Sequence, residues 1–72
     1  MNCRIKNTKK LSVFSDPTDS LVPIDYLNKD SIVKIENVEP IYGINNLPYV
    51  KIKYKNFKTG YVYKEGLEEI TK

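Results

Sequence analysis

Residues 49–63, YVKIKYKNFKTGYVY, constrain the fold of this chain more than any other stretch. Tyr49-Val50-Lys51-Ile52-Lys53-Tyr54 alternates at period two, the spacing that sends successive side chains to opposite faces of a strand. The segment Lys55-Asn56-Phe57-Lys58 then reads as a turn, and Thr59-Gly60-Tyr61-Val62-Tyr63 as a returning strand. Val50, Ile52 and Tyr54 share one face with Val62 and are expected in the core; Tyr49, Lys51 and Lys53 lie on the other. Gly60 marks a close backbone approach where a β-carbon would clash.

The rest of the composition agrees with a β-protein. Alanine is absent, and β-branched and aromatic residues dominate the apolar 40%, which disfavours a helical bundle. At 72 residues the chain reads as one domain over 1–72, with its core about 4–70 and an all-β architecture. Net charge is +3, a mild excess compatible with nucleic acid, anionic polymers or solubility. Every basic residue except Arg4 is a lysine, so bidentate recognition of phosphate or guanine has little material. Cys3 is the single cysteine and histidine is absent. Neither a disulfide within the chain nor a zinc or haem site is expected, and no cofactor.

Taken in order, Cys3-Arg4-Ile5-Lys6 is a short candidate strand closed by Asn7-Thr8-Lys9-Lys10. Leu11 and Val13 share a face of the next one. Ser15-Asp16-Pro17-Thr18-Asp19-Ser20 is a dense turn-forming cluster and predicts a long ordered loop. Leu21–Leu27 returns as an extended segment, and Asn28-Lys29-Asp30 makes a tight turn. Ser31–Val38 is a strand with Val33 and Ile35 facing inward. Glu39–Pro48 reads as a second long loop bounded by prolines, its Ile41, Tyr42, Ile44 and Leu47 packing down on the body. After Lys64-Glu65-Gly66, Leu67–Ile70 is a last strand or helical turn. Five to six short antiparallel strands of this kind suggest a small, partly open barrel.

Three blocks resemble the bacterial SH3 (SH3b) family. The family's opening L-N-V-R-S-G-P is similar to Leu11-Ser12-Val13-Phe14-Ser15-Asp16-Pro17, and its L-x-K-G-x-x-V-x-V to the segment from Leu27 to Ile35. Its closing W-x-K-V-x-Y-x-N-G-K-x-G-[WY]-V is matched by Tyr49 through Val62. Asp16 and Asp30 stand where the family often has glycine, Phe14 replaces its arginine and Tyr49 its tryptophan. The resemblance spans about Ile5 to Ile70. It implies an SH3-like barrel and a non-catalytic module that holds cell-wall hydrolases or surface proteins near peptidoglycan or its peptide cross-bridges.

Catalysis has little to stand on. The only adjacent carboxylates, Glu68 and Glu69, point to opposite faces of a strand, and Cys3 and the serines have no histidine to activate them. Aromatic side chains are the better candidates. Tyr49 and Tyr61, opposite the core face of the hairpin, combine a stacking surface with a hydroxyl. With Phe14, Asp16 and Tyr42 they form the expected ligand-binding set, a shallow groove for a cell-wall peptide or glycan. The same tyrosines would serve equally as sheet-edge cover and cross-strand pairs. Tyr54 is assigned to the core, Tyr26 and Tyr63 to surface or edge. Lys51, Lys53, Lys55 and Lys58 form a basic edge that either meets an acidic polymer or guards the strand against aggregation.

Two other classes remain: an intracellular adaptor binding a protein through the same groove and, less favoured, a nucleic-acid binder using the lysine edge. A monomer is expected. No stretch is long and apolar enough to span a bilayer, and Met1–Lys6 lacks the apolar region of a signal peptide. A fragment of an exported protein would belong to the cell envelope or exterior; a complete chain would belong to the cytoplasm.

Overall fold

The chain is all-β. In the computed structural model, which describes residues 2–6 and 10–69 without the side chains of residues 38 and 69, the strands are β1 (Asn2–Ile5), β2 (Lys10–Val13), β3 (Asp25–Asn28), β4 (Ile32–Tyr42), β5 (Pro48–Tyr54), β6 (Lys58–Tyr63) and β7 (Leu67–Glu69). A 3-10 turn, Lys64–Gly66, separates β6 from β7. Five antiparallel strands in the order β6-β5-β4-β1-β7 make the main sheet, and β2 pairs with β3 in a second. Reciprocal 2.8 Å backbone hydrogen bonds between Phe14 and Tyr61 stitch the end of β2 to β6. The two sheets together form a small β-barrel-like domain.

The hairpin behaves as its alternation predicts. Val50 lies opposite Val62, Ile52 opposite Gly60, and Tyr54 opposite Lys58. Val50, Ile52, Tyr54 and Val62 enter a core completed by Cys3, Ile5, Val13, Leu27 and Val33, with Leu11, Ile35 and Leu67 packed against it. Gly60 is the close approach expected of it: a β-carbon there would stand 2.5 Å from Val13 Cγ1 and 3.3 Å from the Phe14 carbonyl oxygen. Lys55 and Asn56 turn the chain with φ of 47° and 76°, the consecutive left-handed pair whose twist suits a tight hairpin. Asp30 takes φ 71°, a conformation aspartate tolerates better than most residues.

The expected antiparallel strands are present: the extended return narrows to β3, and of the two options for the closing segment a strand is observed, at Leu67–Glu69. Two expectations are corrected. The second long loop shrinks to Gly43–Leu47, since β4 continues through Pro40 to Tyr42. Proline survives there because the β4–β5 register shifts between Ile35 and Asn37 and again between Asn37 and Ile41, and an irregular ladder does not need every N–H. Finally, Tyr42, Ile44 and Leu47 do not pack down on the body but are exposed. The expectations for Asn7-Thr8-Lys9 and for Ile70 fall outside the described residues.

Candidate functional site

The outer face of the main sheet, opposite the core, is a ladder of three transverse rows. Asn2, Lys34, Lys53 and Thr59 are successive cross-strand partners in the first. Asn37, Lys51 and Tyr61 form the second, and Ile41, Tyr49 and Tyr63 the third. The chemistry therefore changes along the face from lysine to aromatic.

At the aromatic end, alternation stops deciding burial. Tyr49 and Val50 are neighbours on opposite faces of β5, yet both are buried, Tyr49 at 4% exposure and Val50 at 1%. Tyr49 is covered by two loops. Phe14 meets its ring edge-on at a centroid distance of 5.5 Å, and Tyr63 lies tilted against it at 6.0 Å. Asn45 Nδ2 donates to the Tyr49 hydroxyl at 2.8 Å while Asn45 Oδ1 accepts from the Leu47 N–H. Gly43 passes so close that a β-carbon would sit 2.8 Å from Tyr49 Cε1 and 3.0 Å from the Pro17 carbonyl oxygen. The Ile44 N–H donates to that same Pro17 carbonyl at 2.9 Å, fastening the loop after β4 to the loop after β2. Pro17 is itself fully buried.

Each loop is also held from within. The Asp16 carboxylate accepts from the Thr18 N–H at 3.0 Å and from the Thr18 hydroxyl, while its backbone carbonyl accepts from Asp19 and Ser20. In the shorter loop the Gly43 N–H donates to the Leu47 carbonyl and the Asn46 N–H to the Gly43 carbonyl. Asn46 supplies the left-handed residue, φ 65°. Self-bonded loops of this kind present side chains in fixed positions on a rigid sheet.

This geometry revises the expected site residue by residue. Phe14, Tyr49 and Tyr61 do come together, but Tyr49 is not the exposed groove residue its face suggested, and Phe14 is buried with it. Tyr61 is half-buried, Asp16 is exposed with its carboxylate turned to Thr18, and Tyr42 is 60% exposed. The large apolar side chains exposed here are Tyr42, which alternation sends to the side of β4 opposite Ile41, and the loop residues Ile44 and Leu47, the last two unrecognised as surface residues in the sequence. Asn45 and Pro17 are the other unforeseen contributors. The Asn45-Asn46 pair beside Gly43 was a turn signal, but nothing local tells that Asn45 reaches the Tyr49 hydroxyl. Tyr54 is core, Tyr26 exposed and Tyr63 half-buried, in keeping with their assignments.

The opposite end of the face is polar. Lys55 Nζ stands 3.1 and 3.2 Å from the two oxygens of Asp25, tying the hairpin turn to β3. The backbone N–H of Tyr26, and after it Lys55, hold the Asp25 carboxyl below the usual carboxylate range, while burial and the nearby Asp25 charge push the Tyr54 phenol up. Among the described residues no group of three or more His, Cys, Asp or Glu is placed to hold a metal ion, and no helix is long and apolar enough to cross a membrane. Comparison with family models, with curated proteins and with solved structures returns no match to this chain.

Proposed function

We propose that this chain is a non-catalytic binding module of the bacterial SH3 type, one that holds a cell-wall hydrolase or surface protein against peptidoglycan or its peptide cross-bridges. The recognition surface is the rim Tyr42, Ile44 and Leu47 rather than the buried Tyr49, with Tyr61 and Asp16 flanking Phe14. One observation carries the reading. Three large apolar side chains are exposed at 60%, 61% and 40% on or beside a loop that is internally bonded and fastened to a second loop. Surface apolar groups on a backbone held this firmly suit a ligand, because little loop freedom remains to be lost on binding. Tyr42 adds a hydroxyl to its ring, which fits the amides of a peptide or the hydroxyls of a glycan.

The direct experiment is retention on purified Gram-positive cell walls. Tyr42→Ala and Ile44→Ala are expected to weaken retention about tenfold each, the effect of removing a central contact residue. Tyr26→Ala, at an exposed tyrosine on β3, serves as the control and should retain as the wild type does. Unchanged retention of both rim variants would remove the rim from the binding surface. Failure of the wild type to bind any wall preparation would remove the cell wall as the target.

A further inference from the structure

The lysine end of the outer face is built in a way that edge protection does not explain. Lysines guard a sheet by sitting on its outermost strand, but Lys34 and Lys53 lie on β4 and β5, which are interior strands of the main sheet. They are direct cross-strand partners, an arrangement of like charges that destabilises a ladder. Among the described residues neither makes an ion pair; the salt bridges there join Arg4 to Glu68 and Lys55 to Asp25. Beside them is an open depression of about 330 Å³ lined by Asn2, Lys34, Lys53, Lys55 and Asn56 together with Ile32, Val33 and Tyr54. Lys51 continues the charge along β5.

We propose that this end of the outer face binds a linear phosphate polymer through Lys34 and Lys53, with Lys51 extending the contact and the Asn2 and Asn56 amides as additional donors. Charge complementarity selects a polyanion. Ammonium groups are compact point charges that suit phosphate oxygens without demanding a planar fork. The positions they spring from are about 5 Å apart across the strands and about 7 Å apart along β5, a spacing that a flexible chain with a charge on every repeat meets readily. A single-stranded nucleic acid would use a stacking platform; among the described residues lining the depression the only aromatic is Tyr54, 4% exposed, which leaves the single exposed ring of Phe57 in the neighbouring turn as stacking surface. This surface is separate from the Tyr42 rim, so the two proposals stand or fall independently.

The test is a calorimetric titration of the whole chain with a short inorganic polyphosphate at low and at physiological salt. Binding is expected to weaken steeply with salt, through release of bound counterions. Lys34→Gln/Lys53→Gln should lower affinity about tenfold or more, whereas Lys6→Gln/Lys64→Gln, equal in charge change and exposed elsewhere, should stay within about twofold. The first variant loses a like-charge pair, so its urea midpoint should be no lower than wild type, which separates lost binding from lost folding. Equal losses in the two variants, no binding at low salt, or a salt-independent affinity would overturn the proposal. Tighter binding of an oligothymidylate of equal charge would overturn the choice of polymer.

Discussion

The two ends of the outer face start from the same local rule and reach opposite outcomes. Tyr49 and Lys53 point to the same side of β5, away from the core. Two touching loops cover Tyr49 until it is 4% exposed, while Lys53 stays exposed. The difference lies in what arches over each position. At the aromatic end Gly43 and Pro17 allow a close approach of backbone to ring, and the Phe14–Tyr61 bridge brings the longer loop across. At the lysine end the turn Lys55–Phe57 is short, and Lys55 reaches sideways to Asp25 on β3 rather than over the face. A strand's alternation thus decides which side a residue faces, and the loops decide whether that side is surface.

The largest effect that would break this contrast comes from Tyr49→Ala. Removing a buried aromatic ring from the Phe14–Tyr63 contact is expected to cost about 3–5 kcal/mol, enough to leave a domain of this size substantially unfolded. Tyr42→Ala, at an exposed ring, should change stability by no more than about 0.5 kcal/mol. Urea denaturation of the pair measures both, and comparable losses would mean that Tyr49 is not the covered residue.

Next in size is Gly60→Ala. The added methyl meets Val13 in the core and the Phe14 carbonyl at the bridge, so a loss of about 1–3 kcal/mol is expected. Equal stability would show that β2 can move away from β6, loosening the link that carries the long loop. Lys34→Glu should act in the other direction at the far end. Replacing a like-charge cross-strand pair by an opposite one is expected to raise stability by roughly 0.2–1 kcal/mol, with the gain shrinking in high salt.

The smallest effect concerns Asp25. Its folded pKa is lowered, by the Tyr26 N–H first and by Lys55 second, so its contribution is present above the unfolded value, about pH 4. It is lost as pH falls through the lower folded value. The urea midpoint should therefore decline less between mildly acidic and strongly acidic solution in Asp25→Asn than in wild type. Parallel declines would mean that neither the Tyr26 N–H nor Lys55 favours the ionised carboxylate in the folded state.

Much of the fold was legible because it depends on nearest-neighbour rules. The period-two pattern of residues 50–54 placed Val50, Ile52 and Tyr54 in the core, and an isolated glycine between strand residues marked the contact at Gly60. Pro40 misled the reading of β4, since proline signals a strand end unless the ladder is irregular, and the register shifts that accommodate it are a tertiary matter. The candidate site was legible as a neighbourhood and not as a surface. Phe14, Tyr49 and Tyr61 were grouped from their places beside the hairpin. Which of them is covered depends on hydrogen bonds between loops nearly thirty residues apart in sequence, such as Ile44 to Pro17, and no local pattern encodes those. The lysines show the same limit: spacing alone makes an edge of four of them, whereas the strand order puts Lys53 in the interior of the sheet opposite Lys34.

If the covered aromatics hold the loops while the exposed rim recognises a ligand, as proposed, amide chemical-shift mapping shows it at single-residue resolution. On titration with a soluble peptidoglycan fragment, the largest shifts are expected at Tyr42, Ile44 and Leu47, smaller ones at Asp16 and Tyr61, and none at Lys34 and Lys53. Shifts confined to the lysine end, or spread evenly over both ends of the face, would contradict it.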